Sequence, residues 1–190
     1  MVSDVNAGST YLTGTLGTAA NNVVQLDGAA KLPAVDGSQL TGISTGGGKV
    51  LQVVQASLTA QSNLTSTSLA DSGHPAASLT PATTGSKVLI NYTGNWADNT
   101  GGIETLIVIY RQIGGGGYSV LAGTMVGKLG QAVYAYMPMT INFLDSPNTA
   151  SQVDYKIYYK VSSGTAYYNY VWSVGAGNPG SSLILTEIGA

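Results

Sequence analysis

Apolar and polar residues alternate with a period of two along most of the chain after residue 49, the spacing of half-buried strands. Val133, Ala135, Met137, Met139, Ile141 and Phe143 occupy alternate positions, with Tyr134, Tyr136, Thr140 and Asn142 opposite. One face of that stretch is therefore strongly apolar and suits the core of a sandwich. Pro138 has no N–H to donate, which marks an edge strand or a bulge. A different pattern runs from Ile103 to Gln112, where Ile103, Ile107 and Ile109 alternate with Leu106, Val108 and Tyr110. Both faces are apolar, so this strand needs cover on both sides, from a second subunit or from a loop of its own chain. Eight strands are predicted: Val50 to Ser57, Lys87 to Trp96, Ile103 to Gln112, Tyr118 to Ala122, Val133 to Phe143, Val153 to Val161, Tyr167 to Val174 and Ser182 to Ile188. All are rich in β-branched and aromatic residues and bounded by Gly, Pro, Asn or Ser. No segment carries a 3.6-residue apolar stripe.

The N-terminal stretch is patterned differently. Gly46, Gly47 and Gly48 separate it from the strand-rich region, and it holds only Tyr11 of the twelve tyrosines and neither tryptophan. The boundary is placed there, giving an N-terminal segment, residues 1–48, and a C-terminal domain, residues 49–190. Within the first segment, Leu26-Asp27-Gly28 and Val35-Asp36-Gly37 repeat at nine-residue spacing, followed by Leu32 and Leu40. Asp-Gly pairs favour tight turns, and Pro33 denies a donor to any central strand. Apolar residues so widely spaced cannot close a core in one short chain. Three copies wound together would place Val24, Leu26, Leu32, Val35, Leu40 and Ile43 about a shared axis; the other reading is a flexible linker.

Composition narrows the functional classes. Charged residues are only 8% of the chain, glycines number 26, and the formal net charge is -2, while 44% of residues are hydrophobic. That hydrophobicity favours folding over disorder, and so weakly charged a surface favours burial in an assembly. The seven Lys and Arg are scattered, with no run to track a phosphate backbone, so nucleic acid is not an expected partner. Without cysteine there are neither disulfides nor thiolate chemistry. No run of about 18 apolar residues occurs, so membrane insertion is not expected, and the start of the chain does not read as a signal peptide.

Catalytic and metal motifs are weak. His74, the sole histidine, lies near Asp71 and Ser72, but neighbours in a loop seldom form a triad and G-x-S-x-G is missing; a surface-loop histidine beside Pro75 is the simpler reading. The acids Asp98, Glu104, Asp145 and Asp154 flank turns rather than forming a carboxylate pair. Asn95, Asp98 and Asn99 read as a turn before a calcium site, and Gly114 to Gly117 as a hairpin turn before a phosphate loop. Neither a catalytic residue, a metal site nor a cofactor is nominated, and an enzyme is not expected. One set of side chains suits a ligand or an interface: Trp96, Tyr167, Tyr168, Tyr170 and Trp172, because aromatic faces stack on sugars and bury large areas with few rotamers.

Residues 23–43, VVQLDGAAKLPAVDGSQLTGI, resemble a segment that recurs in bacteriophage tail fibre proteins just ahead of a distal domain. The C-terminal region is similar, more loosely, to head domains of fibre proteins from phages of aquatic bacteria, through Lys49 to Gln55, Ser86 to Ile90, Asp145 to Pro147 and Leu183 to Gly189. The resemblance implies an all-β homotrimer in which an extended shaft leads into an antiparallel β-sandwich head of jelly-roll type. It also implies a place in the virion, in the phage tail, with tail or baseplate proteins as partners at the N-terminal segment. A host surface polysaccharide or protein receptor would meet the head. Three other readings compete with it: a purely structural baseplate or capsid-vertex protein, a lectin-like carbohydrate-binding module, and a polysaccharide-cleaving enzyme.

Overall fold

The computed structural model describes residues 31, 48–99, 101–129, 136–169 and 180–189. The chain divides into two units, Met1–Ser44 and Thr45–Ala190. Of the first only Lys31 is among the described residues, so the shaft positions Val24, Leu26, Leu32, Val35, Leu40 and Ile43 lie outside them.

The second unit is built from twelve strands among the described residues, and every pairing is antiparallel. They are β1 (Val50–Leu58), β2 (Ser62–Leu64), β3 (Ala70–Asp71), β4 (Ala77–Leu79), β5 (Lys87–Asp98), β6 (Glu104–Ile113), β7 (Ser119–Val120), β8 (Val126–Leu129), β9 (Met137–Asp145), β10 (Val153–Val161), β11 (Ala166–Tyr168) and β12 (Ser181–Ile188). No helix occurs among the described residues. In the first sheet β5 pairs β9 on one side and both β12 and β11 on the other, with β1 beyond β12 and β2 beyond β11. In the second, β10 pairs β6 on one side and β3 and β4 on the other, while β7 and β8 line the far side of β6. If β1/β2, β3/β4, β7/β8 and β11/β12 each count as one interrupted strand, twelve become eight. Their chain order is then 1-8-3-6 in one sheet and 2-7-4-5 in the other, which is jelly-roll connectivity.

One core lies between the sheets. From β5 it takes Val88, Ile90, Tyr92 and Trp96, from β6 Ile107 and Ile109, from β10 Val153, Tyr155, Ile157 and Tyr159, and from β12 Leu183 and Leu185. Strand β10 alternates without interruption, its odd-numbered residues buried and Asp154, Lys156, Tyr158 and Lys160 half-buried on the outside. Each fully buried Ile or Leu contributes about 1.5–3 kcal/mol relative to exposure. Core tyrosines need partners for their hydroxyls: Tyr155 donates to Asp145 at 2.7 Å, and the Tyr159 hydroxyl accepts from the Ser66 amide at 3.1 Å. Gly94 sits between Tyr92 and Trp96 on this face. A Cβ there would meet the Tyr92 hydroxyl and lie 2.8 Å from its Cζ, so glycine is what lets that ring lie flat on the strand.

Carboxylates of the first sheet clasp the second at both ends of β5. Asp98, fully buried, accepts from Lys128 at 2.7 Å and from the Thr105 hydroxyl at 2.8 Å. At the other end Asp145 takes both oxygens' worth of Arg111, at 2.7 and 2.9 Å, together with Tyr155. Burial and the Asp145 carboxylate both push the Tyr155 hydroxyl's pKa up. Glu187, also fully buried, accepts from Gln52 at 2.6 Å and from the Ala82 amide at 2.7 Å. Burial alone pushes its carboxyl pKa up, but donors on Gln52, Ser86 and Ala82 overcome this and hold it below the ordinary value. The turn entering β5 is thereby tied to the last strand.

At the junction of β11 and the segment that follows, Asn169 takes a left-handed backbone, φ 51°. Its side-chain amide donates to the carbonyls of Leu58 at 2.8 Å and Ala60 at 3.2 Å and to the Ser181 hydroxyl at 3.2 Å. It thus fastens the gap between β1 and β2 to the gap between β11 and β12.

Pro138 falls on β9, which pairs only β5 among the described residues, as an edge strand should. Met139 and Ile141 face the core as the alternation predicts, but Met137 is 39% exposed, and Val133 and Ala135 lie outside the described residues. The strand with two apolar faces is β6. Its Val108 is only 1% exposed within the single chain, so most of its cover comes from its own fold, while Leu106 and Tyr110 stay half-buried. Three departures concern short strands. The strand predicted over Tyr118 to Ala122 is only Ser119–Val120, that over Tyr167 to Val174 is described only as Ala166–Tyr168, and β2, β3, β4 and β8 have no counterpart in the sequence pattern. They are two to four residues long and hold Ser, Asn, Ala and Gly, so too few alternations exist to read.

Candidate functional site

The outer face of the second sheet gathers tyrosines from three elements. Antiparallel register sets Tyr110 of β6 opposite Lys156 of β10 and Val120 of β7, and Tyr158 of β10 opposite Asp71 of β3. The Tyr110 and Tyr158 rings stack at 3.8 Å with 16° between their planes, and Tyr118, just before β7, lies 6.5 Å from Tyr158. All three are half-buried, so their positions are fixed while part of each ring stays accessible.

Charges frame these rings in pairs. The Lys156 ammonium bonds Asp71 at 2.9 Å and stands 4.9 Å from the centre of the Tyr118 ring. Asp71 also accepts from the Gly73 amide at 3.0 Å. Its partial burial pushes its pKa up, but Gly73 and Lys156 outweigh that and hold it below the ordinary carboxylate value. The bond to Asp71 correspondingly raises Lys156. Gln152 donates to Asp154 at 2.8 Å on the same face. Further along, Thr67, Glu104, Leu106, Lys160, Val161 and Ser162 line a cleft of about 150 Å³, too small for a whole ligand but able to take one compact polar group.

A second aromatic cluster lies inside the sandwich. His74 stacks on Trp96 at 4.8 Å and 10°, sits 3.8 Å from the Tyr168 ring and meets Tyr92 edge-on at 5.5 Å. Its Nδ1 is 2.8 Å from the Tyr92 hydroxyl, which also accepts from Trp96 Nε1 at 3.3 Å, while Nε2 is buried without a hydrogen-bond partner among the described residues. Burial pushes the His74 pKa down to about 3, against a smaller opposing pull from Asp71. His74 is therefore neutral and 5% exposed, which corrects the expectation of a surface-loop histidine. The local cause is the turn before it: the Ser72 hydroxyl donates to the Ile157 carbonyl at 2.6 Å and accepts from the His74 amide at 3.2 Å, aiming the imidazole inward. With Ser72 so engaged and the ring bonded to Tyr92, these residues do not assemble as a nucleophilic triad.

The aromatics nominated from the sequence separate. Trp96 is fully buried and Tyr168 3% exposed, so both are core residues of a single chain rather than faces offered to a ligand or a second subunit. Their β5 and β11 positions point inward, where they enclose His74. Tyr167 is half-buried on β11, opposite Ala97 and Asn63, and Tyr170 and Trp172 lie outside the described residues. Asp98 is occupied by Lys128 and Thr105, and no group of three or more His, Asp or Glu side chains able to hold a metal occurs among the described residues. Gly114 and Gly115, with positive φ, turn the chain between β6 and β7 as a hairpin requires. Tyr110, Tyr118 and Tyr158 were not nominated. For Tyr110 and Tyr158, outward positions in alternating strands are the available signal, while Tyr118, just before β7, carries none.

Over its described residues the second unit is thus an all-β, antiparallel sandwich with one aromatic outer face. No protein-family model matches the chain, and no curated protein matches it. Among solved structures, that of the infectious bursal disease virus Gt strain is similar at TM-score 0.41 and 12% identity, over 72% of this chain and 39% of that one. The infectious bursal disease virus Gx strain structure gives TM-score 0.39 and 13% identity, over 73% and 37%. The chain spans under two-fifths of those proteins' length.

Proposed function

We propose that this chain is a fibre-type structural protein of a bacteriophage particle. It works as a homotrimer whose N-terminal segment is held by tail or baseplate proteins and whose sandwich head contacts the host surface. The resemblance of residues 23–43 to tail fibre segments supports the phage tail as its place. The outer face of the second sheet, with Tyr110, Tyr118 and Tyr158 held half-exposed, is the observation that carries surface contact. Nothing in that face needs to be a catalyst: the mechanism is adhesion, in which several copies on one particle make weak individual contacts effective together.

A purely structural role on the particle has its own support. The outer face of the first sheet carries Val50 at 55%, Leu51 at 40%, Val53 at 60% and Leu144 at 47% exposure, a surface suited to cover by another protein. Labelling of a panel of bacterial strains with the fluorescent full-length protein separates the two. Adhesion predicts saturable labelling of at least one strain without release of reducing ends from its polysaccharide. Absence of labelling on every strain favours the structural role, and release of reducing ends overturns the non-catalytic reading.

A further inference from the structure

We propose that the tyrosine face of the second sheet binds a neutral saccharide chain, laid along β6 and β10 from Tyr118 to the cleft beside Glu104 and Lys160. The inference rests on the adhesive reading and names its ligand. Three features of the face select that chemistry.

The platform is the first feature. Tyr110 and Tyr158 are stacked on each other and Tyr118 flanks them, so the rings lose little freedom when a ligand covers them. The 3.8 Å stack uses one face of Tyr110 and one of Tyr158, so a sugar meets the ring surface that stack leaves accessible, with the hydroxyls offered to its oxygens.

Charge is the second. Among the described residues, carboxylates at Asp71, Asp154 and Glu104 and ammoniums at Lys156 and Lys160 give three against two on this side of the sheet. Asp71 is bonded to Lys156 and Asp154 to Gln152, so the face offers fixed donors and acceptors with little net field. A polyanion gains nothing from such a surface, whereas hydroxyls hydrogen-bond to both signs.

Shape is the third. From Tyr110 to Glu104, six residue steps along β6 span about 20 Å, the reach of a short oligosaccharide. The terminal cleft is small and mostly polar, lined by Thr67, Glu104, Lys160 and Ser162. A peptide partner would want a deep apolar pocket for an anchoring side chain, which this cleft does not supply.

The test applies the full-length protein to an array of neutral polysaccharides (dextran, mannan and β-glucan), with heparin and alginate as anionic probes. The expected result is saturable binding to at least one neutral chain, weakened about tenfold by Tyr158→Ala and by Tyr118→Ala and unchanged by Leu144→Ser on the opposite face. Tyr118 stands outside the strands, so its variant keeps the parent's thermal unfolding and isolates the ring. Binding to anionic probes alone, absence of binding to any neutral chain, or an undiminished affinity in both tyrosine variants overturns the proposal. A protein receptor would show as cell labelling abolished by protease treatment of the cells, which also overturns it. If the parent labels cells and Tyr118→Ala labels them equally, attachment stands and this site falls. If the tyrosines govern array binding but no strain is labelled, the site stands and the attachment reading falls.

Discussion

His74 is a base that the fold keeps neutral. Its pKa is about 3 in the folded chain against 6.5 as the ordinary value, so between those limits the unfolded chain binds a proton that the folded chain does not. The stability tied to the neutral ring is fully present above 6.5 and declines as pH falls, by about 1.4 kcal/mol per pH unit. Asp71 and Glu187 are both held below their ordinary values, so they add losses of their own only once pH falls to about 4.5. Denaturant unfolding at about pH 6 and about pH 5 therefore isolates the histidine. The slope should be present in the parent and missing in His74→Gln; equal stability at the two values in the parent would contradict the burial described.

Among the elements, the two sheets are joined by few polar links, and their removal has unequal effects. Lys128 and Asp98 have side chains 2% and 0% exposed, so Asp98→Ala leaves a buried ammonium alone and should cost about 3 kcal/mol or more in chemical denaturation. Replacing Asp98 and Lys128 together by apolar residues should recover much of that loss, because the larger penalty is the orphaned charge. The surface pair Lys156–Asp71, at 32% and 42% side-chain exposure, is worth at most about 1 kcal/mol.

Long strands were legible in the sequence because β1, β5, β6, β9, β10 and β12 each supply several turns of the period-two pattern, whereas β3 and β7 supply a single pair of residues. The site was less legible. The aromatics clustered from Tyr167 to Trp172 suggest one binding surface, yet neighbours on a strand face opposite ways, so Tyr168 turns into the core while Tyr167 does not. The residues that do share a surface are assembled by register and turn together: Tyr158 comes from a distant strand onto Tyr110, and Tyr118 arrives through the hairpin between β6 and β7. The burial of His74 is hidden from the sequence for the same reason: its cover includes Trp96 and Tyr168, which no local pattern places beside it.

For the whole molecule, the two outer faces differ in kind. One bears paired charges and tyrosines; the other sets Val53, Thr186, Leu89 and Leu144 in a row across four strands. With only 8% charged residues in the chain, such a face has little to keep copies apart. The trimer proposed above predicts about three chain masses of 19.3 kDa in light scattering of the full-length protein. A stable species of one chain mass at working concentration would overturn it.

The Asn169 amide bonds Ser181 and the carbonyls of Leu58 and Ala60 at once, so the chain's exit from β11 and its re-entry into β12 are stitched to each other and to the first strand. One side chain thus acts as a clasp, and Asn169→Ala would loosen the first and last strands together.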